Sequence, residues 1–188
     1  MFNEAILFLL DVLLQPLAAI LLLRFHLQWL RAPLRNPIGE FVMALTDFIV
    51  LRARRLIPSA KQYDSATLLL ALSIEMIYLT GSLLAQGYDF LGFPLPGLLV
   101  LAIVKLLKTS LYLLMGAVFL QAILSWVNPH SSVSPLLTAI TWRFLQPLRR
   151  IVPILGSVDL SALVLFIICQ LMIIVPIRIM ERIAFELL

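Results

Sequence analysis

Four long apolar stretches, separated by shorter segments in which charged and apolar positions recur at helical spacing, set the plan of this chain. The first runs from about Ala5 to Leu30, the second from Asp64 to about Gln86, the third from Leu98 to Val127 and the fourth from Leu160 to about Ile177. A helix of about 20 residues, rising about 1.5 Å per residue, crosses a hydrocarbon core of about 30 Å, so each stretch reads as a membrane span. Between the first two, Ile38, Phe41, Val42, Leu45, Phe48 and Ile49 keep a period near 3.6 opposite Glu40, Asp47 and Arg54. That spacing predicts an amphipathic helix over 37–57 lying in the membrane interface. Leu136, Leu137, Ile140, Phe144 and Leu148 repeat the pattern over 135–152. Asn36-Pro37 and Ser134-Pro135 read as the N-cap and first residue of these two helices, and Pro58 and Pro153 close them.

The expected fold is therefore an all-α membrane protein with about four transmembrane helices, in which the order span, amphipathic helix, span occurs twice. Repeat 1 takes residues 1–86 (span 5–30, amphipathic helix 37–57, span 64–86). A turn-rich aromatic loop, 87–97, leads to repeat 2, residues 98–188 (span 98–127, amphipathic helix 135–152, span 160–177), which ends in an interfacial helical tail, 178–188. At a single offset of 95 (153 − 58) Ala44/Ala139, Thr46/Thr141, Arg54/Arg149, Arg55/Arg150, Pro58/Pro153 and Asp64/Asp159 are identical pairs, which reads as an internal duplication. An even number of spans per copy gives both copies the same orientation, so the repeats are parallel.

Charge orients this plan. The first connector holds Arg31, Arg35, Arg52, Arg54, Arg55 and Lys61, the second Arg143, Arg149 and Arg150, while the loop 87–97 has no basic residue. By the positive-inside rule both connectors face the cytoplasm and the loop faces the other side, although Lys105, Lys108, Arg178 and Arg182 count against it. The expected place is the bacterial cytoplasmic (inner) membrane, with multiple passes. A hydrophobic share of 62%, a charged share of 13% and a mean hydropathy of +1.07 exclude an ordinary soluble domain, whose charged share is about 25%. The net charge of +4 lies beside membrane segments, so its expected partners are membrane lipids including anionic head groups, not nucleic acid. The start Met1-Phe2-Asn3-Glu4 lacks a basic n-region and is not expected to be a removable signal.

Gln146-Pro147-Leu148-Arg149-Arg150-Ile151-Val152-Pro153, followed by Gly156, Asp159 and Ser161, and its partial echo Arg54-Arg55-Leu56-Ile57-Pro58 with Asp64, resemble the YggT/YlmG family of small bacterial and plastid membrane proteins. The resemblance covers nearly the whole chain. The first copy departs from the pattern, with Arg52-Ala53 in place of Pro147-Leu148 and no glycine among residues 59–63. The resemblance implies a link with osmotic-stress tolerance and ion homeostasis, with cell division or nucleoid distribution, and in plastids with cytochrome assembly.

Two groups of residues could carry chemistry. Asp64 and Asp159 could meet around a cation, but an acid at the head of a membrane helix first satisfies free amides and the helix dipole, so both read as N-caps. Arg54, Arg55, Arg149 and Arg150 read as topology determinants and lipid contacts, compatible with ion pairs to those aspartates, and Gly156 as a turn residue. The second group is Asp11, Glu75, Lys105 and Lys108, charges at membrane depth that need partners. An internal bridge from Glu75 to Lys105 or Lys108 is one reading and a polar path for ions another. Arg24, His26, Gln28 and Trp29 look like an interface cluster with a snorkelling base. His26 and His130 have no metal-ligand spacing, Cys169 is the one cysteine, and no catalytic motif occurs, so neither cofactor nor enzyme activity is expected. The expected function is a non-enzymatic scaffold or assembly factor, possible as a homo-oligomer and with membrane or division-associated protein partners. The alternative is an oligomeric ion conduit or a regulator of ion flux under osmotic stress.

Overall fold

The computed structural model describes residues 2–56, 64–88, 94–128, 130–152 and 159–188. Among these the chain is helical, with no strand. Helix α1 spans Phe2–Trp29, α2 Pro37–Leu56, α3 Ser65–Ala85, α4 Leu95–Val127 and α5 Ser134–Arg149. The last helical run starts as α6, Leu160–Met172, widens into a π-helical stretch at Ile173–Ile177 and continues as α7, Arg178–Glu186. Pro176 sits in that wide stretch. A proline removes one backbone donor and collides with the preceding turn, and a π-turn absorbs the misfit without ending the helix. Residues 178–186 accordingly continue the same helical run. Ala184 is fully buried and packs with Leu79, Leu98 and Leu101.

Among the described residues four helical runs are long and apolar enough to cross a membrane: α1, α3, α4 and the run Leu160–Glu186. Their outer faces carry Phe8, Leu13, Ile77, Phe119, Leu163 and Ile167, all more than half exposed. In water such a surface would aggregate; in lipid it is the solvated face. Helix α4 contributes to each of the three packed clusters, through Val118 beside Leu27 and Leu136, Leu106 beside Leu21 and Ile74, and Leu98 beside Leu79. It begins at Leu95, three residues earlier than the sequence pattern suggests, and at 33 residues is about 50 Å long. That exceeds the hydrocarbon thickness, so α4 tilts or projects beyond it.

Each connector helix is tied to the bundle near its middle and at its far end. Helix α1 stops in a Schellman turn, with Ala32 N–H donating to Leu27 O at 2.9 Å, Arg31 N–H donating to Gln28 O at 3.1 Å, and Arg31 at φ 52°. A non-glycine residue there costs about 1 kcal/mol. Asn36 then caps α2, its Oδ1 accepting from Gly39 N–H at 3.0 Å. A side chain at Gly39 would come within 2.3 Å of Leu34 O, so the turn requires glycine. Along α2 the residues Val42, Thr46 and Val50 are buried, whereas Phe41, Leu45 and Phe48 face outwards. Thr46 Oγ1 accepts from Arg24 Nη1 at 2.6 Å, and the same nitrogen lies 2.7 Å from Asp47 Oδ1. Arg24 is 1% exposed, so it does not snorkel to an interface but pins α2 to α1; its Nε and Nη2 have no hydrogen-bond partner among the described residues. In α5 the equivalent pin is Thr141, whose hydroxyl donates to Gln121 of α4. Helix α5 starts at Ser134, which makes Ser134 its first residue and not an N-cap; the hydroxyls of Ser131 and Ser134 lie 2.9 Å apart.

The far end of each connector is held by an arginine and an aspartate, the pairs that recur at the offset of 95. Arg54 Nη2 donates to Asp64 Oδ2 at 2.5 Å, and Arg149 Nη2 lies 2.7 Å from Asp159 Oδ2. Asp64 also accepts from Thr67 N–H and the Thr67 hydroxyl, and Asp159 accepts from Ser161 N–H at 3.0 Å and from the Ser161 hydroxyl. Each carboxylate thus caps its span and anchors the connector before it. Arg55 and Arg150 are exposed, and Pro58, Pro153 and Gly156 lie outside the described residues. Burial alone would push both carboxyls up, but at Asp64 the Arg54 and Thr67 hydrogen bonds with the Arg54 charge, and at Asp159 the Ser161 and Arg149 hydrogen bonds with the Arg149 charge, outweigh it and hold them below the ordinary range.

A carboxyl whose folded-state pKa is depressed stabilises the fold fully above its ordinary pKa, here 3.8, and loses that contribution as pH falls through the folded-state value. The apparent melting temperature in detergent should therefore drop on acidification below about pH 4, and Asp64→Asn should flatten that drop. Asp64→Ala should cost about 2 kcal/mol and the more exposed Asp159→Ala about 1 kcal/mol, read as melting shifts at neutral pH.

Candidate functional site: a charged cluster shared by four helices

Each helix of the bundle offers polar residues at one-face spacing. In α1 these are Asp11 and Gln15, in α3 Glu75 and Tyr78, in α4 Lys105 and Lys108, and in α7 Glu181. Antiparallel packing of α1 on α3 brings Gln15 to Glu75, with Gln15 Nε2 donating to Oε1 at 3.3 Å. Along the same contact the Tyr78 hydroxyl donates to Asp11 Oδ1 at 2.7 Å. From α4, Lys105 Nζ lies 4.0 Å from Glu75 Oε1 and 4.6 Å from the centre of the Tyr78 ring. Lys108 turns the other way, to Glu181, at 2.8 Å.

Glu75 stands ten residues from either end of α3 (75 − 65 and 85 − 75), which puts it at mid-span. Its side chain is 1% exposed, whereas those of Lys105 and Lys108 are about one-third exposed. An ionisable group at that depth persists when it is paired and hydrogen-bonded. Here the pairing comes from an ammonium, an amide and a cation–π contact that fastens Lys105 to its neighbour. Taken as ionised, Asp11, Glu75 and Glu181 against Lys105 and Lys108 sum to −1, so the cluster is nearly neutral within itself. Chemically it is a set of paired titratable groups that ties four helices together.

The structure thus joins Asp11, Glu75, Lys105 and Lys108 in one region. Of the two bridges the sequence allowed, it makes the one from Glu75 to Lys105 and gives Lys108 to Glu181. Sequence reasoning missed Tyr78, although it lies three positions from Glu75 on the same face, and it placed Glu181 in a tail outside the bundle. Asp64 and Asp159 stay with their own arginines and caps. Among the described residues no three or more of His, Cys, Asp and Glu come together in a metal-holding arrangement.

Fold and site together define a small helical-bundle membrane protein whose four spans meet at a charged cluster, with a helix clamped across each of two connections at one end. Two stretches of the chain, residues 3–84 and 100–180, match the CCB3/YggT family model. The chain belongs to the CCB3/YggT family. It is 32% identical over 159 residues to the protein YggT of Escherichia coli K12, covering 84% of this chain and 81% of the relative. A protein of Vibrio alginolyticus encoded in the proC 3′ region is 33% identical over 161 residues, with 85% and 86% covered, and one of Haemophilus influenzae 32% over 152, with 80% of each. The names of these relatives carry no activity. No solved structure matches the chain significantly.

Glu75→Leu leaves Lys105 beside an apolar site and should cost about 2 kcal/mol, less than a fully buried pair because Lys105 is partly exposed. Glu75→Leu with Lys105→Met should restore most of that loss. A double-mutant cycle on apparent melting in detergent reads the coupling; additivity of the two single variants would show that the 4.0 Å pair does not stabilise the fold.

Proposed function

We propose that this protein is a non-enzymatic scaffold or assembly factor of the bacterial cytoplasmic membrane, linked to osmotic-stress tolerance, cell division or nucleoid distribution as the family resemblance implies. Two parallel repeats present both connector helices on the cytoplasmic face, in keeping with the nine basic residues of the two connectors. The observation that carries the reading is the clamped helix α2. Held at its middle by Arg24 on Thr46 and Asp47 and at its far end by Arg54 on Asp64, it turns the stripe Phe41, Leu45, Phe48 outwards. An apolar stripe at i, i+4, i+7 on a fixed helix at the membrane surface has the form of a helix-docking face. Other copies of the chain or other membrane proteins are its occupants in this reading.

A second reading has its own support. Glu75, buried at mid-span beside Lys105, is the kind of group found on ion and proton paths, and four packed spans require an oligomer to enclose one. Liposomes holding the purified protein would then pass K⁺ or Na⁺ after an osmotic step, and Glu75→Gln would stop the flux.

Photocrosslinking side chains at positions 41 and 48, compared with the outward position 163 on α6, separate the two readings in native membranes. Scaffolding predicts discrete protein adducts from 41 and 48, their loss with Arg24→Met, and an osmotic-upshift or nucleoid-distribution defect in the same variant. Adducts to lipid alone at all three positions, or an intact phenotype, would contradict it.

A further inference from the structure

A cleft of about 470 Å³ opens where the end of α1 meets α5. Trp29 and Arg31 line one wall, and Ala139, Trp142, Arg143 and Gln146, spaced 3, 4 and 7 along α5 and so on one helical face, line the other. Three features give the cleft a chemistry. Its charged lining is two arginines and no carboxylate, and neither arginine is ion-paired among the described residues. The Arg143 guanidinium stands 5.8 Å from the centre of the Trp29 ring, which orients it. Arg31 occupies the left-handed position of the α1 Schellman turn, at φ 52°, where glycine or asparagine is usual. Strain of this kind persists where surrounding structure or function requires the side chain.

The cleft does not end at the interface. Trp29 and Leu30 also line an apolar groove of about 230 Å³ running beneath it, between α1, α4 and α5, past His26, Leu107, Leu111 and Phe144. That groove shares His26, Leu107 and Ser110 with another of about 430 Å³ that reaches Leu72 of α3 and Ile103 of α4. From Trp29 towards Leu22, and from Ser110 towards Ile103, the lining moves away from the connector end and into the span. A basic, tryptophan-walled mouth above adjoining apolar grooves has the shape and charge to take an acyl chain bearing an anionic head.

We propose that this cleft and groove form a binding site for one anionic phospholipid, its phosphate held by Arg31 and Arg143 and one acyl chain lying in the groove between α1 and α4. Guanidinium forks suit phosphate oxygens, the tryptophans suit the head-group level, and the absence of acid from the lining disfavours a zwitterionic head. The site is independent of whether α2 recruits protein partners. It also gives the unusual backbone at Arg31 a reason that α1 capping alone does not supply.

Native mass spectrometry of the protein released from nanodiscs of phosphatidylcholine mixed with phosphatidylglycerol tests this. The expected result is one retained phosphatidylglycerol in preference to phosphatidylcholine. Retention should weaken about fivefold in Arg31→Gly and in Arg143→Gln and about thirtyfold in the double variant, with no change in Arg178→Gln, an exposed arginine outside the cleft. Arg31→Gly also relieves the positive φ, so its melting temperature in uncharged detergent should hold or rise while lipid is lost, which separates binding from folding. Ala139→Leu, which narrows the cleft and keeps both charges, should lower retention too. The proposal is overturned if phosphatidylcholine is retained equally, if the double variant or Ala139→Leu holds lipid as the wild type does, or if inorganic phosphate displaces the lipid and so marks a soluble-phosphate site.

Discussion

A guanidinium that is 1% exposed, on one of the helices long and apolar enough to cross a membrane, is the constraint from which much of this structure follows. Arg24 cannot be left without acceptors, because desolvating a cation costs several kcal/mol. Thr46 and Asp47 of α2 supply them, and in doing so bring the connector helix onto α1. Once that contact is made, Val42 and Val50 pack inwards, Phe41 and Phe48 are forced outwards, and Arg54 comes within reach of Asp64 at the head of α3. One polar requirement in α1 thereby sets the rotation of α2 and the entry of the next span. In the second half of the chain the same geometry is reached with a neutral pin, Gln121 on Thr141, and a more exposed ion pair, Arg149 on Asp159.

The charged cluster obeys the same rule at greater depth. Glu75, Lys105, Lys108 and Glu181 come from three helices, each answered by a partner on another. Such contacts do not add much net stability over an apolar core of equal volume, but they penalise every wrong register, since a slip of one residue would leave a charge facing lipid. The arrangement therefore specifies how α3, α4 and the last span align, whatever further use is made of the mid-span carboxylate.

Much of this was legible in the sequence, for physical reasons. Spans announce themselves by length and composition, and Asn36, Asp64 and Asp159 cap helices through bonds that reach only two or three residues away. What escaped were contacts made at long range. Lys108 and Glu181 are 73 positions apart, and Glu181 lay beyond Pro176, which reads as a helix end unless the chain relaxes into a π-turn there. Arg24 sits among His26, Gln28 and Trp29 and so has the look of an interfacial base; only the docking of α2 shows that it points inwards. The identity of Thr46 and Thr141 was visible at the offset of 95, but the role that unites them, holding a connector to the span before it, required the neighbours Arg24 and Gln121.

The central claim is that α2 is a fixed element, clamped by Arg24 and not merely floating in the interface. Amide hydrogen exchange of the protein in nanodiscs measures this directly, comparing α2 with α3 in the wild type and in Arg24→Met. Replacing a buried, half-satisfied charge with a methionine leaves the bundle about as stable as before, because Asp47 is exposed enough to be hydrated. The account predicts that α2 amides are protected in the wild type and lose about tenfold or more of that protection in the variant, with α3 unchanged. Equal protection of α2 in both proteins, or an α2 that exchanges in the wild type as fast as an unstructured segment, would contradict it.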